Sequence, residues 1–541
     1  MRVAEALGRA VAQLGVRDCF GLVGSGNFYL ANAMEANGVR FIPARHETGA
    51  VTMADGYARV SGRLGVCSVH QGPGVTNAVT GLTEAAKART PLLLLAAEAT
   101  SPLSNFFLDV ERLAAGTGAL HRRLGNPSKA IADLAEAAQI AVGQRRTVLV
   151  SLPLEVQAAE CEPIDVTPPS ASKPAGAANV GELAHLLESS RCPLLLAGRG
   201  AVLSGAREPL ERLAEQTGAL LATSAVAYGL FAGNPWYLGI SGGFASPVAA
   251  ELIEKSDLIV AFGASLNMWT TQRGHLIGPD AKVAQVDVDE KALGAHRAVD
   301  MALTGDCAET ARALGAALGP HHAAGWRSVE VSNRIRHGVW REQPFEDMSG
   351  DGHIDPRALS LALHGLLPKE RTLAVDSGHF MGWPPMYMDV PDGRSFVFTQ
   401  SFMSIGLGLA TGIGAGVARP DRLTVIALGD GGALMSLPEL ETLGRLGLDA
   451  LVVVYNDASY SAEVHHFAPE KAPMDTVRFP DTDFAALARA VGLEAATVRG
   501  LAELEAVRVW LERGRPRPML VDAKVTPAVV AAWLEEAFRG H

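Results

Sequence analysis

The stretch "LTVIALGDGGALMSLPELETLGRLGLDALVVVYNDASY", residues 423–460, decides how the whole chain is read. Two short apolar runs, "LTVIAL" and "ALVVVY", each break abruptly into polar residues, "GDGG" and "NDASY", and the length between them is what one crossover helix fills. Asp430 and Asp457 then stand at the ends of consecutive parallel strands, 27 positions apart. Ligands of open parallel sheets bind beyond the carboxyl ends of the strands, so one ion can meet both carboxylates. Magnesium takes oxygen ligands, usually one or two carboxylates together with substrate phosphates. Gly429, Gly431 and Gly432 let the backbone approach a diphosphate, and a helix opened by Ser436 and Pro438 is expected to direct its N–H groups toward it. Taken alone, "GDGG" also fits a tight turn, and Asp457 a helix cap.

The same alternation of apolar runs and helical patterns extends outward in both directions. Strands are expected at "DCFGLVG", "VRFIPAR", "LGVCSVH", "PLLLLAA" and "RTVLVSLP", then at "CPLLLAGRG", "ALLATSA", "SDLIVAFGAS" and "AKVAQVDVD", then at "RTLAVDSG", "LTVIALGDGG", "ALVVVYND" and "PRPMLVDAKV". Pro/Ala/Ser-rich Glu160 to Val180 and polar Gly319 to Gly352 look like linkers. The expected fold class is α/β, with three doubly wound parallel-sheet domains at 1–160, 181–320 and 351–541. A chain of 541 residues is long enough for three cores.

Composition sets limits on function. With net charge −11 and no Lys/Arg cluster, the chain shows no electrostatic footprint for nucleic acid. Its five cysteines form no C-x-x-C pair, so neither a zinc site nor a disulfide framework is expected, and a reducing cytoplasm is. The amphipathic start "MRVAEALGRAVAQLGV" carries no cleavable signal pattern, and no apolar run nears the ~20 residues of a membrane span.

Gly-Asp-Gly followed about that far on by an Asn strand end resembles the magnesium and diphosphate signature of thiamine diphosphate (ThDP) enzymes. The resemblance implies that Asp430, Asp457 and the Ser459 carbonyl are the metal ligands, with Asp457 standing where the family usually has its second Asn. Glu47 opens the helix in "FIPARHETGAVTMADGYAR", which resembles the family's "HE-x-x-A" segment. There a glutamate bonds the aminopyrimidine N1′, a task for a carboxylic acid whose pKa burial can raise. "SVHQGPGVTNAV" resembles the glycine turn beside the pyrimidine, implicating Gly72, Pro73, Gly74 and Asn77. "TQSFMSIGLGLATGIGAG" resembles the segment that wedges the cofactor into its bent form, implicating Ile405 and the carbonyl of Met403. His379, in "VDSGHFMGW", joins the expected cofactor contacts.

The closest subgroup looks like the acetolactate synthase and benzoylformate decarboxylase branch. It implies decarboxylation of a 2-oxo acid, with the resulting enamine either joined to a second carbonyl or simply protonated. Carboligation of the acetolactate synthase type is the expectation, non-ligating decarboxylation the alternative, and a catalytically silent nucleotide-binding relative the alternative of another class. Ser25 and His70 fall where benzoylformate decarboxylase has its substrate-contacting Ser and His, and Glu463 where pyruvate decarboxylase has its pocket Glu. His465 and His466 are further pocket candidates, as are Phe106, Phe107, Trp269, Trp383 and Phe467. "DLIVAFGAS" continues into "LNMWTTQRGHL" rather than an Arg-Phe-Asp-Asp pattern, which argues against FAD. The family further implies a homodimer or homotetramer with each site shared between two subunits.

Overall fold

The computed structural model describes residues 1–171, 174–319 and 325–534. Parts of both expected linkers and the end of the expected third domain lie outside these. Three six-stranded parallel sheets follow one another along the chain, as expected. The first contains β1 (Asp18–Gly21), β2 (Arg40–Pro43), β3 (Gly65–Val69), β4 (Leu92–Glu98), β5 (Leu120–Arg123) and β6 (Thr147–Pro153), in the order β2-β1-β3-β4-β6-β5. The second contains β7 (Pro193–Ala197), β8 (Leu220–Thr223), β9 (Tyr237–Ile240), β10 (Leu258–Phe262), β11 (Lys282–Asp287) and β12 (Met301–Thr304), in the order β12-β11-β10-β7-β8-β9. The third contains β13 (Arg371–Val375), β14 (Phe396–Phe398), β15 (Leu423–Gly429), β16 (Ala450–Asn456), β17 (Glu494–Val498) and β18 (Met519–Lys524), in the order β14-β13-β15-β16-β18-β17. Strand for strand, the first and third sheets share one order.

Inner strands such as β3, β16 and β18 are buried along their whole length, because helices cover both faces of a parallel sheet and both faces must be apolar. One core joins the first and third sheets. Ala50, Met53, Ala54 and Tyr57, on the helix Glu47–Ser61, pack in the same cluster as Leu409, Ile413 and Val417, on the helix Gly408–Ala418. The two helices approach backbone to backbone, and a Cβ on Gly414 would collide with the carbonyl of Met53. The middle sheet has separate cores of its own. Among the described residues no helix is long and apolar enough to cross a membrane.

Candidate functional site

Parallel pairing of β15 with β16 sets Gly429 opposite Tyr455, so Asp430 and Asp457 leave adjacent strand ends. Asp430 is 9% exposed. Burial, and then the charge of Asp457, push its carboxyl up to about 7, against backbone hydrogen bonds from Gly431 and Ser459. Burial likewise raises Asp457, which accepts hydroxyl hydrogen bonds from Ser459 at 3.1 Å and from Ser461. The neighbouring Asn456 turns the other way: its amide donates to Asp522 at 2.9 Å and to the Thr482 carbonyl at 3.2 Å. Ala458 is left-handed at φ 56°, a strain of about 1–2 kcal/mol that strand ends bearing functional groups often carry.

The helix after β15 differs from expectation. A first helical segment, Asp430–Met435, begins at the aspartate itself, and Pro438 caps a second, Glu439–Leu446. A missed residue explains part of this packing. Asp376, following β13, is fully buried and accepts the N–H groups of Gly406 at 2.9 Å and Leu407 at 3.2 Å. Burial pushes it up to about 6 against four backbone hydrogen bonds, and a Cβ on Gly432 would collide with its carboxylate. Asp376 thus anchors the turn that follows Ile405 and lies close against Gly432. Met403 is exposed and left-handed at φ 61°. A carboxylate after a strand was visible in "RTLAVDSG", but its partners are backbone groups that no spacing reveals.

His379 is buried, and its Nε2 accepts the Ala531 N–H at 3.1 Å, which puts the ring proton on Nδ1. Burial, and then His465, hold it down to about 3. The His465 ring lies 4.5 Å away and is itself lowered by burial, while Trp383 and Trp533 flank His379 at 6.1 Å. Glu463 lies half-buried on the short helix Ser461–Phe467, which also bears His466.

The residues expected in the first block form a second cluster. Glu47 is 6% exposed at the first turn of its helix, and its carboxylate accepts the Asn77 amide at 3.0 Å. Gly72 has φ 62°, and a Cβ there would come within 2.9 Å of the Phe106 carbonyl, so the turn needs glycine. Pro73 starts the following helix, and Gly74 lies against Glu47. His70 accepts the Gly26 N–H at 3.1 Å through Nδ1, tying the turn that bears exposed Ser25 to the glycine turn; burial lowers its pKa. Buried Asn27 holds that turn by accepting from Gly24 and donating to Leu22 and Ser68. Gln71, also missed from the sequence, has a buried amide oxygen with no hydrogen-bond partner among the described residues.

Among the described residues, no hydrogen bond links the Glu47 cluster to the Asp430 cluster. Apolar side chains stand exposed beside each: Val23, Phe28, Phe106 and Phe107 at the first, Phe402, Met403, Leu434 and Met435 at the second.

Residues 1–124 match the family described as "Thiamine pyrophosphate enzyme, N-terminal TPP binding domain", 180–314 its central domain and 376–523 its C-terminal TPP binding domain. A sulfoacetaldehyde acetyltransferase of Castellaniella defragrans is 28% identical, over 92% of this chain and 88% of its own length. A probable acetolactate synthase large subunit of Methanocaldococcus jannaschii is 26% identical, over 92% of this chain and 87% of its own. An acetolactate synthase large subunit of Parasynechococcus marenigrum is 27% identical, over 96% and 87%.

Proposed function

The chain belongs to the thiamine pyrophosphate enzymes, and on that premise we propose that it uses thiamine diphosphate, the same cofactor, with Mg2+ to decarboxylate a 2-oxo acid and join the remaining acyl unit to a second carbonyl. The observation that carries the reading is the pair Asp430 and Asp457 at adjacent strand ends above a glycine turn. Two buried carboxylates that close repel, and a divalent cation relieves the repulsion. Among the described residues no group of three or more His, Cys, Asp or Glu gathers for a metal. Two carboxylates and the Ser459 carbonyl, completed by diphosphate oxygens, are instead a donor set that suits Mg2+. Gly429, Gly431 and Gly432, packed closely against Phe380, Tyr460 and Asp376, form the turn whose backbone meets the diphosphate, while Met403 and Ile405 support the rings. When bound, thiamine diphosphate supplies a thiazolium that accepts the electron pair left as CO2 departs.

The chain's own residues then have separate tasks. Glu47 exchanges a proton with the pyrimidine N1′, and Asn77 orients its carboxyl. Gly72, Pro73 and Gly74 shape the pyrimidine pocket. Neutral His379 offers its Nδ1–H as a donor; Ser25, His70 and Glu463 orient the substrate and move its protons. Phe106 and Phe107 exclude water. Two copies assemble so that the Glu47 cluster of one faces the Asp430 cluster of the other, which covers the exposed apolar side chains beside both. A homotetramer pairs two such dimers.

The relative named sulfoacetaldehyde acetyltransferase favours a second reading, in which a sulfonated aldehyde loses sulfite as its C–S bond breaks, its aldehyde carbon becomes the acyl carbon, and the acetyl group passes to a nucleophile such as inorganic phosphate. A product assay tests both: pure protein with thiamine diphosphate, Mg2+ and pyruvate, with and without an aldehyde or second 2-oxo acid, and separately with sulfoacetaldehyde and inorganic phosphate as acceptor, followed by mass spectrometry. A coupled hydroxyketone is expected. Free aldehyde alone indicates a simple decarboxylase, acetyl transfer from sulfoacetaldehyde alone the second reading, and no product from any donor a silent relative.

A further inference from the structure

Two buried glutamates cross between the first and third sheets in opposite directions. Glu439, on the crossover from β15 to β16, is 2% exposed and accepts the N–H groups of His46 at 2.9 Å and Arg45 at 3.1 Å. Those residues immediately precede Glu47. The Thr442 hydroxyl donates to the same carboxylate at 2.7 Å, which holds it in place. Glu84, on the crossover from β3 to β4, is fully buried and accepts the N–H groups of Ser401 at 3.1 Å and Phe402 at 2.6 Å. Those residues immediately precede Met403. Arg59 pairs with Glu84 at 2.8 Å and with Asp55 at 2.6 Å, and donates to the Phe398 carbonyl at 3.2 Å.

The correspondence follows from topology. Each glutamate leaves the crossover between the third and fourth strands of its own sheet, and each grips the segment joining the second strand, β2 or β14, to the helix that follows it. The helices already pack through an apolar core, so cohesion alone does not require a carboxylate at either point. Burying one is costly unless its oxygens are satisfied, and here Thr442 or Arg59 satisfies part of each carboxylate while the backbone N–H groups of the cofactor elements satisfy the rest.

We propose that Glu439 and Glu84 are reciprocal positioning residues, Glu439 setting the position of Glu47 and Glu84 setting that of the Met403–Ile405 segment, each from the other cofactor domain of the same chain. The proposal rests on the roles given to Glu47, Met403 and Ile405 above.

The test compares Glu439→Ala and Glu84→Ala with Glu439→Gln and Glu84→Gln, which keep an acceptor oxygen. In the full chain without cofactor, amide hydrogen exchange should speed up about ten-fold or more around residues 45–50 in Glu439→Ala only, and around 401–407 in Glu84→Ala only, with glutamine recovering most of the protection. With thiamine diphosphate and Mg2+ bound, Glu439→Ala should slow hydrogen–deuterium exchange at the cofactor C2 about ten-fold or more at saturation, whereas Glu84→Ala should chiefly weaken cofactor affinity. Wild-type exchange in both segments, or equal loosening of both without recovery by glutamine, overturns the proposal. If an alanine variant does not fold, its glutamine counterpart decides: wild-type protection together with wild-type C2 exchange and affinity counts against a positioning role. If the wild-type protein does not accelerate C2 exchange over free cofactor, the functional reading falls, while the measurement without cofactor still decides whether the two grips exist.

Discussion

In the first sheet the strand ends deliver one carboxylate, Glu47, with an amide, an imidazole and a glycine turn around it; in the third, the same strand order delivers Asp430 and Asp457 with three glycines. The scaffold is shared, and the difference lies in a few residues beyond the strand ends. The first cluster suits proton exchange with a heterocycle, since its lone buried acid is held by a neutral amide. The second suits a cation and a diphosphate, since its acids crowd each other. The middle sheet has another order, and at the ends of β7 and β10 its glycines Gly198, Gly200 and Gly263 pack against one another.

Removing the acid of the first cluster should have the largest effect. Glu47→Gln should lower kcat by about 100-fold or more and leave thiamine diphosphate bound, measured by steady-state kinetics and calorimetric titration. Comparable loss of cofactor affinity would erase the division of labour between the clusters. In the second cluster, Asp430→Ala should weaken cofactor and Mg2+ binding about ten-fold or more; an unchanged affinity would remove the metal role from Asp430. The shared frame is tested by Gly414→Val, which forces a side chain against the Met53 carbonyl and should destabilise the chain by about 1–3 kcal/mol in denaturant unfolding. Wild-type stability would mean that the helix crossing is looser than the structure shows.

The smallest effect is expected at His379. Burial, and then His465, hold its folded value down to about 3, whereas an unfolded histidine titrates near ~6.5. Between these values the unfolded chain binds more protons, so the wild-type protein loses stability as pH falls from about 6.5 toward 3. His379→Gln should flatten that dependence between pH 7 and 5. Unfolding midpoints that fall with pH as steeply as in the wild type would contradict the buried neutral imidazole.

How much of this the sequence reveals depends on burial. Strands inside a sheet are continuous apolar runs, and each was legible, from "LGVCSVH" to "ALVVVYND". The five strands missed, β5, β9, β12, β14 and β17, are all sheet edges; four of them are only partly buried and the fifth has three residues. The strand-end residues were legible because a polar residue after an apolar run stands out. Glu84 and Glu439 were not, since a carboxylate that grips a backbone hundreds of residues away leaves no local pattern; the role of Asp376 was hidden as well, because its partners are backbone groups about 30 residues on. The early helical turn Asp430–Met435 was hidden by the glycines in it, which lower helix propensity without preventing a turn that packing holds.

If two complementary clusters from different copies make one site, complementation between chains restores it. Glu47→Gln and Asp430→Ala chains, each impaired alone when assayed at a cofactor concentration that fills the wild-type site but not the Asp430→Ala site, are co-expressed with different tags and the mixed assembly is purified. One intact site per mixed dimer is predicted, with specific activity about half that of wild type when two sites act independently. Mixed assemblies as inactive as either parent would contradict the shared site and place both clusters of each site in a single chain.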